Sequence, residues 1–359
     1  MKIGDLCTYA PKSSIKAGDA IIDGRYMFFT SSSDENKRYS DYQLDCEGII
    51  MGTGGNATLH YYNGKFATST DCVVLLSNET IRCKYLYYFF LSNMDILESG
   101  FKGAGLKHTN KNYINSINIS SVPSFEMQDR VIKVLDKVQS IIDKRQQQLE
   151  KLDELVKSRF VEMFGDCDLT AQKKEWKTVR EVGTVFGGST PKRSVAGYWN
   201  GEYRWLSPAE LEQDSGIIFD SVKKITKAGV ESCSLQELPV GTVILSSRAP
   251  IGKLAIAGNT FYCNQGFKNI VCSERVVPQY LYSLLLFNTE YLNSLGRGAT
   301  FKEISKSIVE NIKIPVPPIE LQEQFAAFVE QTDKSKLEIQ KSLEKLEVLK
   351  KALMQKYFG

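Results

Sequence analysis

Few residues of this 359-residue chain are of the types that do chemistry, and their spacing keeps them apart. There are two histidines, His60 and His108, and eight cysteines, Cys7, Cys46, Cys72, Cys83, Cys167, Cys233, Cys263 and Cys272. No two cysteines form a C-x-x-C pair, so a zinc site is not indicated and reduced, partly buried thiols are expected. Catalysis by a nucleophile or an acid–base pair needs partner groups arranged around it, and none stands out. The run Gly52-Thr-Gly-Gly55 lacks the lysine and hydroxyl of a P-loop and the spacing of a dinucleotide fingerprint. No Asn-Pro-Pro-aromatic methyltransferase motif, motor motif or nuclease-like carboxylate pair with lysine is evident.

The turns instead hold hydroxyls, amides, guanidiniums and ammoniums. Ser, Thr and backbone N–H groups bind phosphate, while Arg, Asn and Gln make paired hydrogen bonds to purine edges, so these groups suit duplex DNA. In the second half, Gly188-Ser-Thr-Pro191 supplies Thr190 and then Lys192, and Tyr203-Arg204-Trp205 supplies Arg204. Leu245-Ser-Ser-Arg-Ala-Pro-Ile-Gly252 supplies Ser247, Arg248 and then Lys253, and Cys263-Asn-Gln-Gly-Phe267 supplies Asn264, Gln265 and then Lys268. In the first half, Ile49 to Asn56 supplies Thr53 and Asn56, and His60-Tyr-Tyr-Asn-Gly-Lys-Phe66 supplies His60 and Lys65. A basic, glycine-containing loop occurs in each half. Lys102 to Lys111 carries Lys107, His108 and Lys111, and Arg297-Gly-Ala-Thr-Phe-Lys302 carries Arg297 and Lys302. Polar turns occur in most proteins, so composition alone is weak, and Trp199 and Trp205 fit a core better than a stacking platform.

The elements that position these loops occur twice. The offset that carries Gly165 onto Gly359 also carries Val122-Pro123 onto Val316-Pro317 and Glu126-Met127-Gln128 onto Glu320-Leu321-Gln322. One residue of slippage upstream aligns Gly103-Ala104 with Gly298-Ala299, Tyr85-Leu86 with Tyr280-Leu281, and Ile117 and Ile119 with Ile312 and Ile314. Each half thus runs through a globular segment, a basic loop, a short strand, a proline turn and a long helix.

In the first helix Val131, Leu135, Val138, Ile142, Leu149, Leu152, Val156 and Met163 follow steps of three and four, interrupted by Arg145 and Arg159. Phe325, Val329, Ile339, Leu343, Leu346 and Leu353 repeat the pattern, with Thr332, Lys336 and Lys350 as interruptions. Pro123 and Pro318 set the starts near Phe125 and near Ile319 or Glu320. Each helix is then about 35 to 40 residues, or roughly 50 to 60 Å. Two such helices in one chain most simply pack on each other. Their periodicity alone also allows a dimerisation coiled coil, or a scaffold that assembles other proteins without reading bases.

The globular segments carry strand signals at Val73–Leu76, Gly241–Leu245 and Asn269–Val271, and helical pieces at Lys84–Leu97 and Pro278–Leu292. A mixed α/β head is expected in each half. With 42% apolar and 24% charged residues the composition is that of a soluble globular protein, and a formal charge of only +3 argues against gripping DNA by electrostatics alone. The stretch Met1 to Tyr9 lacks a signal-peptide pattern, and apolar runs such as Tyr85 to Leu91 are too short to span a membrane, so a cytoplasmic location is expected.

Taken together, Ile314-Pro-Val-Pro-Pro-Ile-Glu-Leu-Gln-Glu-Gln324, Gly188-Ser-Thr-Pro191 with Tyr198-Trp199, and Ser246-Ser-Arg-Ala-Pro-Ile-Gly252 followed by Asn264-Gln-Gly-Phe267 resemble the specificity subunits of type I restriction-modification systems. The resemblance covers essentially the whole chain. It implies an α+β fold: two globular target-recognition domains, 1–120 and 166–313, separated by a long antiparallel two-helix coiled coil, 121–165 and 314–359, with pseudo-twofold internal duplication. It further implies that each domain reads one half of an asymmetric, interrupted site in double-stranded DNA, and half-site centres about 34 to 36 Å apart would suit major-groove entry from one face. The helices would dock two adenine methyltransferase subunits, which bring S-adenosylmethionine, and motor-nuclease subunits would join them. The chain itself would bind no cofactor and have no active site. Its first half departs from the pattern, lacking the Gly-x-Thr-Pro and Tyr-Trp elements and entering its helix through Ser120-Ser-Val-Pro-Ser-Phe-Glu-Met-Gln128.

Overall fold

In a computed structural model that describes residues 1–103, 105, 107–248, 250–298 and 302–359, the two halves fold on one sheet topology. The alignment of Gly103-Ala104 with Gly298-Ala299 rests partly on Ala104 and Ala299, which lie outside the described residues, as do Leu106, Ala249, Thr300 and Phe301 of the basic and arginine loops. The chain divides into two units, 1–147 with 339–359, and 148–338.

The first head has strands β1 (Cys7–Tyr9), β2 (Tyr26–Phe29), β3 (Arg38–Tyr39), β4 (Leu44–Gly52), β5 (Leu59–Thr68) and β6 (Cys72–Ser77), in the order β1-β6-β4-β5-β2-β3. All neighbours are antiparallel except β2 and β5. Helices α1 (Cys83–Ser92), α2 (Met94–Ser99) and α3 (Lys111–Ser116) follow, then the long α4 (Phe125–Phe164). Strand β4 alternates at its start, but Gly48 to Gly52 are all buried. Both faces are covered there, which favours a continuous apolar run. Ile49 and Met51 pack with Tyr85, Leu86 and Phe89, whereas Ile50 packs with Phe29, Phe66 and Val74.

The second head comprises β7 (Lys177–Thr178), α5 (Val179–Val182), β8 (Gly183–Gly187), β9 (Trp199–Leu206), β10 (Asp214–Ile218), β11 (Lys223–Ile225), α6 (Lys227–Ser232), β12 (Val243–Ser247), β13 (Ile251–Ala257), β14 (Tyr262–Cys263) and β15 (Lys268–Cys272). It continues through α7 (Pro278–Phe287), α8 (Thr289–Ser294), α9 (Lys306–Glu310) and β16 (Lys313–Ile314) to the long α10 (Ile319–Phe358). The sheet order β8-β15-β12-β13-β10 repeats β1-β6-β4-β5-β2, down to the single parallel pair, here β10 with β13. The fully buried β12 takes the place of β4. A second sheet, β11-β9-β14, is particular to this head and holds Trp205, which is 1% exposed and stands edge-on to Trp199 at 5.1 Å. Trp205 is therefore a core residue.

Each head also closes its short strand by the same pairing. Met1 and Ile3 donate to the carbonyls of Ile119 and Ile117, both at 2.9 Å, and in the second head Val179 donates to Ile312 at 2.9 Å beside the β7–β16 pair.

The long helices start where the prolines place them, at Phe125 and Ile319, and 40 residues make each about 60 Å long. Within the first unit Val131 and Leu135 pack with Met354, and Lys350 reaches Gln139, so the segments run antiparallel. Within the second unit the Phe160 ring lies 5.3 Å from that of Phe325 while Lys336 pairs with Asp153, the same direction of packing. The seam is uneven: Val131, Leu135, Val138, Ile142, Val156 and Leu343 are buried, but Leu149, Leu152, Ile339 and Leu346 are only half-buried. Near the helix ends the buried members are Phe160, one residue past the interruption at Arg159, and Met354, one residue past the expected Leu353, while Met163 is half-buried.

Candidate nucleic-acid interface

The last residue of β12, Ser247, is held on both sides by backbone hydrogen bonds. Its N–H donates to Gly266 at 2.7 Å and its carbonyl accepts from Ile304 at 3.0 Å. Arg297 and Glu303 exchange N–H···O bonds at 3.1 and 3.0 Å, closing the arginine loop into a small hairpin. Three segments remote in sequence therefore meet at the end of the central strand: 247–248, 264–268, and Arg297 with Glu303 and Ile304.

The first head repeats this frame. Thr53, just past β4, donates to Asp71 at 2.8 Å and accepts from Thr109 at 3.0 Å, while Lys102 and His108 exchange bonds at 3.0 Å each. Gly55 donates to the Lys107 carbonyl at 2.9 Å, tying the glycine run to the basic loop. The two heads thus share a backbone frame and differ in the side chains it carries.

On the second frame Thr190 Oγ1 donates to Gln265 Oε1 at 2.5 Å, and Asn264 Oδ1 accepts from Gly266 at 2.8 Å, shaping the turn that presents the exposed Gln265. Arg248 is 36% exposed and lies 3.7 Å from a carboxylate oxygen of Glu303. Lys268 is buried, giving its ammonium to Ser247 Oγ at 3.1 Å, Gln265 O at 3.4 Å and Glu303 Oε1 at 3.2 Å. Ser247 is itself fully buried. Lys253 donates to the carbonyls of Pro208 and Leu211, an internal tie to the turn after β9. Arg204 pairs with Asp220 at 3.2 Å on the second sheet. The Ser221 N–H, with Lys224 and Arg204 nearby, holds the Asp220 carboxyl below its usual range. Lys192, Arg297 and Lys302 are exposed.

On the first frame Asn56, Lys107 and His108 are exposed and Thr53 is half-buried. Lys111 lies over the Tyr9 ring at 4.4 Å. His60 is 6% exposed, with its ring nitrogens 3.2 Å from Glu35 Oε1 and 3.1 Å from the Ser32 carbonyl, so both are already engaged. Lys65, over Tyr42 at 4.6 Å, pairs in register with Asp45 at the far end of β4 and β5, roughly 25 Å from the Thr53 end at 3.3 Å per residue.

The structure thus gathers Thr190, Ser247, Arg248, Asn264, Gln265, Lys268 and Arg297 in one head, and Thr53, Asn56, Lys107 and His108 in the other. It leaves His60, Lys65, Lys253 and Arg204 outside these clusters. Sequence reasoning missed Glu303, which follows Lys302 directly; a search for cations stops one residue short of it.

Among the described residues no group of His, Cys, Asp and Glu is arranged to hold a metal ion, and no helix is long and apolar enough to cross a membrane.

The model of the type I restriction modification DNA specificity domain matches residues 1–154 and again 173–351. Among curated proteins, the MjaIX type I restriction enzyme specificity subunit of Methanocaldococcus jannaschii is 39% identical over 184 residues, 50% of this chain and 43% of that protein. The EcoR124I/EcoR124II specificity subunit of Escherichia coli is 23% identical over 287 residues, 75% of this chain and 66% of that one. The chain thus spans between about two fifths and two thirds of the length of these relatives. Among solved structures, the S subunit of a type I restriction-modification system from M. genitalium superposes with a TM-score of 0.65 at 15% identity, over 100% of this chain and 95% of that one, which bears on the fold alone. With the match running through both halves, the chain belongs to the type I restriction modification DNA specificity family.

Proposed function

We propose that this chain is the sequence-reading component of a type I restriction-modification complex, each head contacting its own half of an asymmetric, bipartite site in double-stranded DNA. The observation that carries this reading is the frame at Thr53 and Ser247. Two heads of one topology hold the same three segments with the same hydrogen bonds, yet present Asn56, Lys107 and His108 in one case and Arg248, Gln265 and Arg297 in the other. Exposed cations at the rim suit phosphate, and exposed Arg, Asn and Gln suit base edges.

On this reading the chain supplies recognition, and chemistry belongs to partners: two adenine methyltransferase subunits, which bind S-adenosylmethionine, and motor-nuclease subunits in the complete assembly, acting in the cytoplasm. The test is to co-purify the full chain with the candidate methyltransferase subunits and footprint the complex on DNA whose methylated adenines have been mapped in expressing cells. Two separated protected patches are expected. One uninterrupted patch would overturn the bipartite reading, and binding that does not discriminate among sequences at moderate salt would make the chain a scaffold instead.

A further inference from the structure

We propose that Glu303 is a positioning residue that sets the specificity of the second head, binding Lys268 permanently while holding Arg248 loosely enough to be exchanged for a DNA base. This rests on the reading of that head as a DNA-sequence reader.

The two ion pairs of Glu303 are unequal. Lys268, with a side chain 11% exposed, has three N–H donors and three acceptors, Ser247 Oγ, the Gln265 carbonyl and Glu303 Oε1. It is closed to a ligand and serves as a cross-link among the strand end, the turn and the hairpin. Arg248 lies 3.7 Å from Glu303 Oε2, beyond hydrogen-bond length, and is 36% exposed. Its guanidinium carries five donors in a fixed fork.

The space for that arginine is built into the turn. A Cβ at Gly266 would lie 3.4 Å from Arg248 Nε and 3.0 Å from both Asn264 Oδ1 and Pro208 Cγ. A side chain there would press on the arginine and on the amide that shapes the Gln265 turn.

The carboxylate has two consequences for binding. It reduces the combined charge of Arg248 and Lys268 from two to one, weakening the sequence-independent attraction to phosphate. It also gives Arg248 a partner that a phosphate oxygen can replace only at a cost, whereas the two acceptors on a guanine edge match the whole fork. Glu303 therefore suppresses wrong contacts more than right ones. At the same backbone position the first head carries His108, so the frame holds the position constant while its chemistry differs between heads.

The test uses the full chain in complex with its methyltransferase subunits, titrated against its target duplex and against duplexes changed in one half-site or the other. Glu303→Gln is expected to tighten binding to non-target DNA several-fold, steepen its salt dependence by about one counterion, and reduce discrimination at one half-site only by about tenfold. Because Glu303→Gln leaves Lys268 buried without its anion, the double variant Glu303→Gln with Lys268→Met removes both charges together. It is expected to lose the same tenfold discrimination without the steeper salt dependence. Discrimination unchanged in the double variant, or an equal weakening on every duplex in the single variant, overturns the proposal. Absence of discrimination by the unmodified complex defeats the DNA-reading assignment instead, so the two failures are distinct.

Discussion

The side-chain carbonyl of Gln322 accepts a hydrogen bond from the backbone N–H of Val277 at 2.9 Å, fastening the first turn of α10 to the start of α7. Its amide donates to Pro317 at 2.8 Å and Arg275 at 3.1 Å, and the residue is 0% exposed. Gln128 does the same in the first unit, accepting from Arg82 at 2.7 Å and donating to Pro123 at 2.8 Å and Thr80 at 3.4 Å. The duplication seen as Glu-x-Gln after a proline is thus a duplicated joint between a head and its long helix.

Gln322→Leu keeps most of the volume but strands one N–H and weakens two carbonyls in a dry site. It is expected to destabilise the second unit by about 2 to 4 kcal/mol, on the order of one to two buried unsatisfied groups. All three tryptophans, Trp176, Trp199 and Trp205, lie in that unit, so intrinsic fluorescence during denaturant unfolding reports it separately. Gln128→Leu should leave the fluorescence transition in place; a shift equal to that of Gln322→Leu would show that the joints are not independent.

An acid-dependent effect is expected at Glu181. The Thr178 hydroxyl and N–H both donate to its carboxylate, holding its pKa down from 4.5 to about 2. A group whose folded value is depressed stabilises the fold above its unfolded value and loses that contribution as pH falls toward the folded one. Wild type should therefore lose stability between about pH 4.5 and 2, and Glu181→Gln, lacking the charged cap, should show a shallower fall over the same window in acid-unfolding curves. Equal slopes would remove the cap from the account.

Thiol accessibility should follow burial. Cys7, Cys83 and Cys263 are buried and burial pushes their thiols up to about 12, with Cys72 at about 11. Only thiolate reacts readily, so these four are expected to resist alkylation at pH 8 in the folded protein, while the partly exposed Cys233 and Cys46 are modified first. Mass mapping of early adducts on Cys263 would contradict the packing around β14.

The helices and the double plan were legible in the sequence because both are local or periodic: Pro123 and Pro318 fix helix starts, and the three-four spacing marks the buried stripe. The apolar strands Val73–Leu76 and Val243–Leu245 were legible for the same reason. What periodicity cannot carry is contact between segments far apart in the chain. Thr190 meets Gln265 because β8 lies beside β15, and Arg248 and Lys268 meet at Glu303 because β15 lies beside β12 and Ile304 is bonded to the end of β12 at Ser247. His60 and Lys253 illustrate the reverse, since a polar residue in a turn-rich segment gives no sign of whether Glu35, Ser32, Pro208 or Leu211 will already have engaged it.

That distinction yields the last prediction. Arg248 is a partly exposed and Gln265 an exposed hydrogen-bonding side chain on the second frame, so Arg248→Ala and Gln265→Ala are each expected to relax preference at one half-site by about 1 to 3 kcal/mol and leave the other untouched. Lys302 is exposed at the hairpin without a role in the frame, and Lys302→Ala should instead weaken all duplexes alike and lower the salt slope by about one. His60→Ala, which removes a buried ring bonded on both sides, should lower the stability of the first unit by about 1 to 3 kcal/mol without altering which bases are preferred. Binding isotherms on single half-site variants separate these outcomes. A uniform loss for Arg248→Ala would make that arginine a phosphate contact, and a changed base preference for His60→Ala would mean that its bonds to Glu35 and Ser32 give way on DNA.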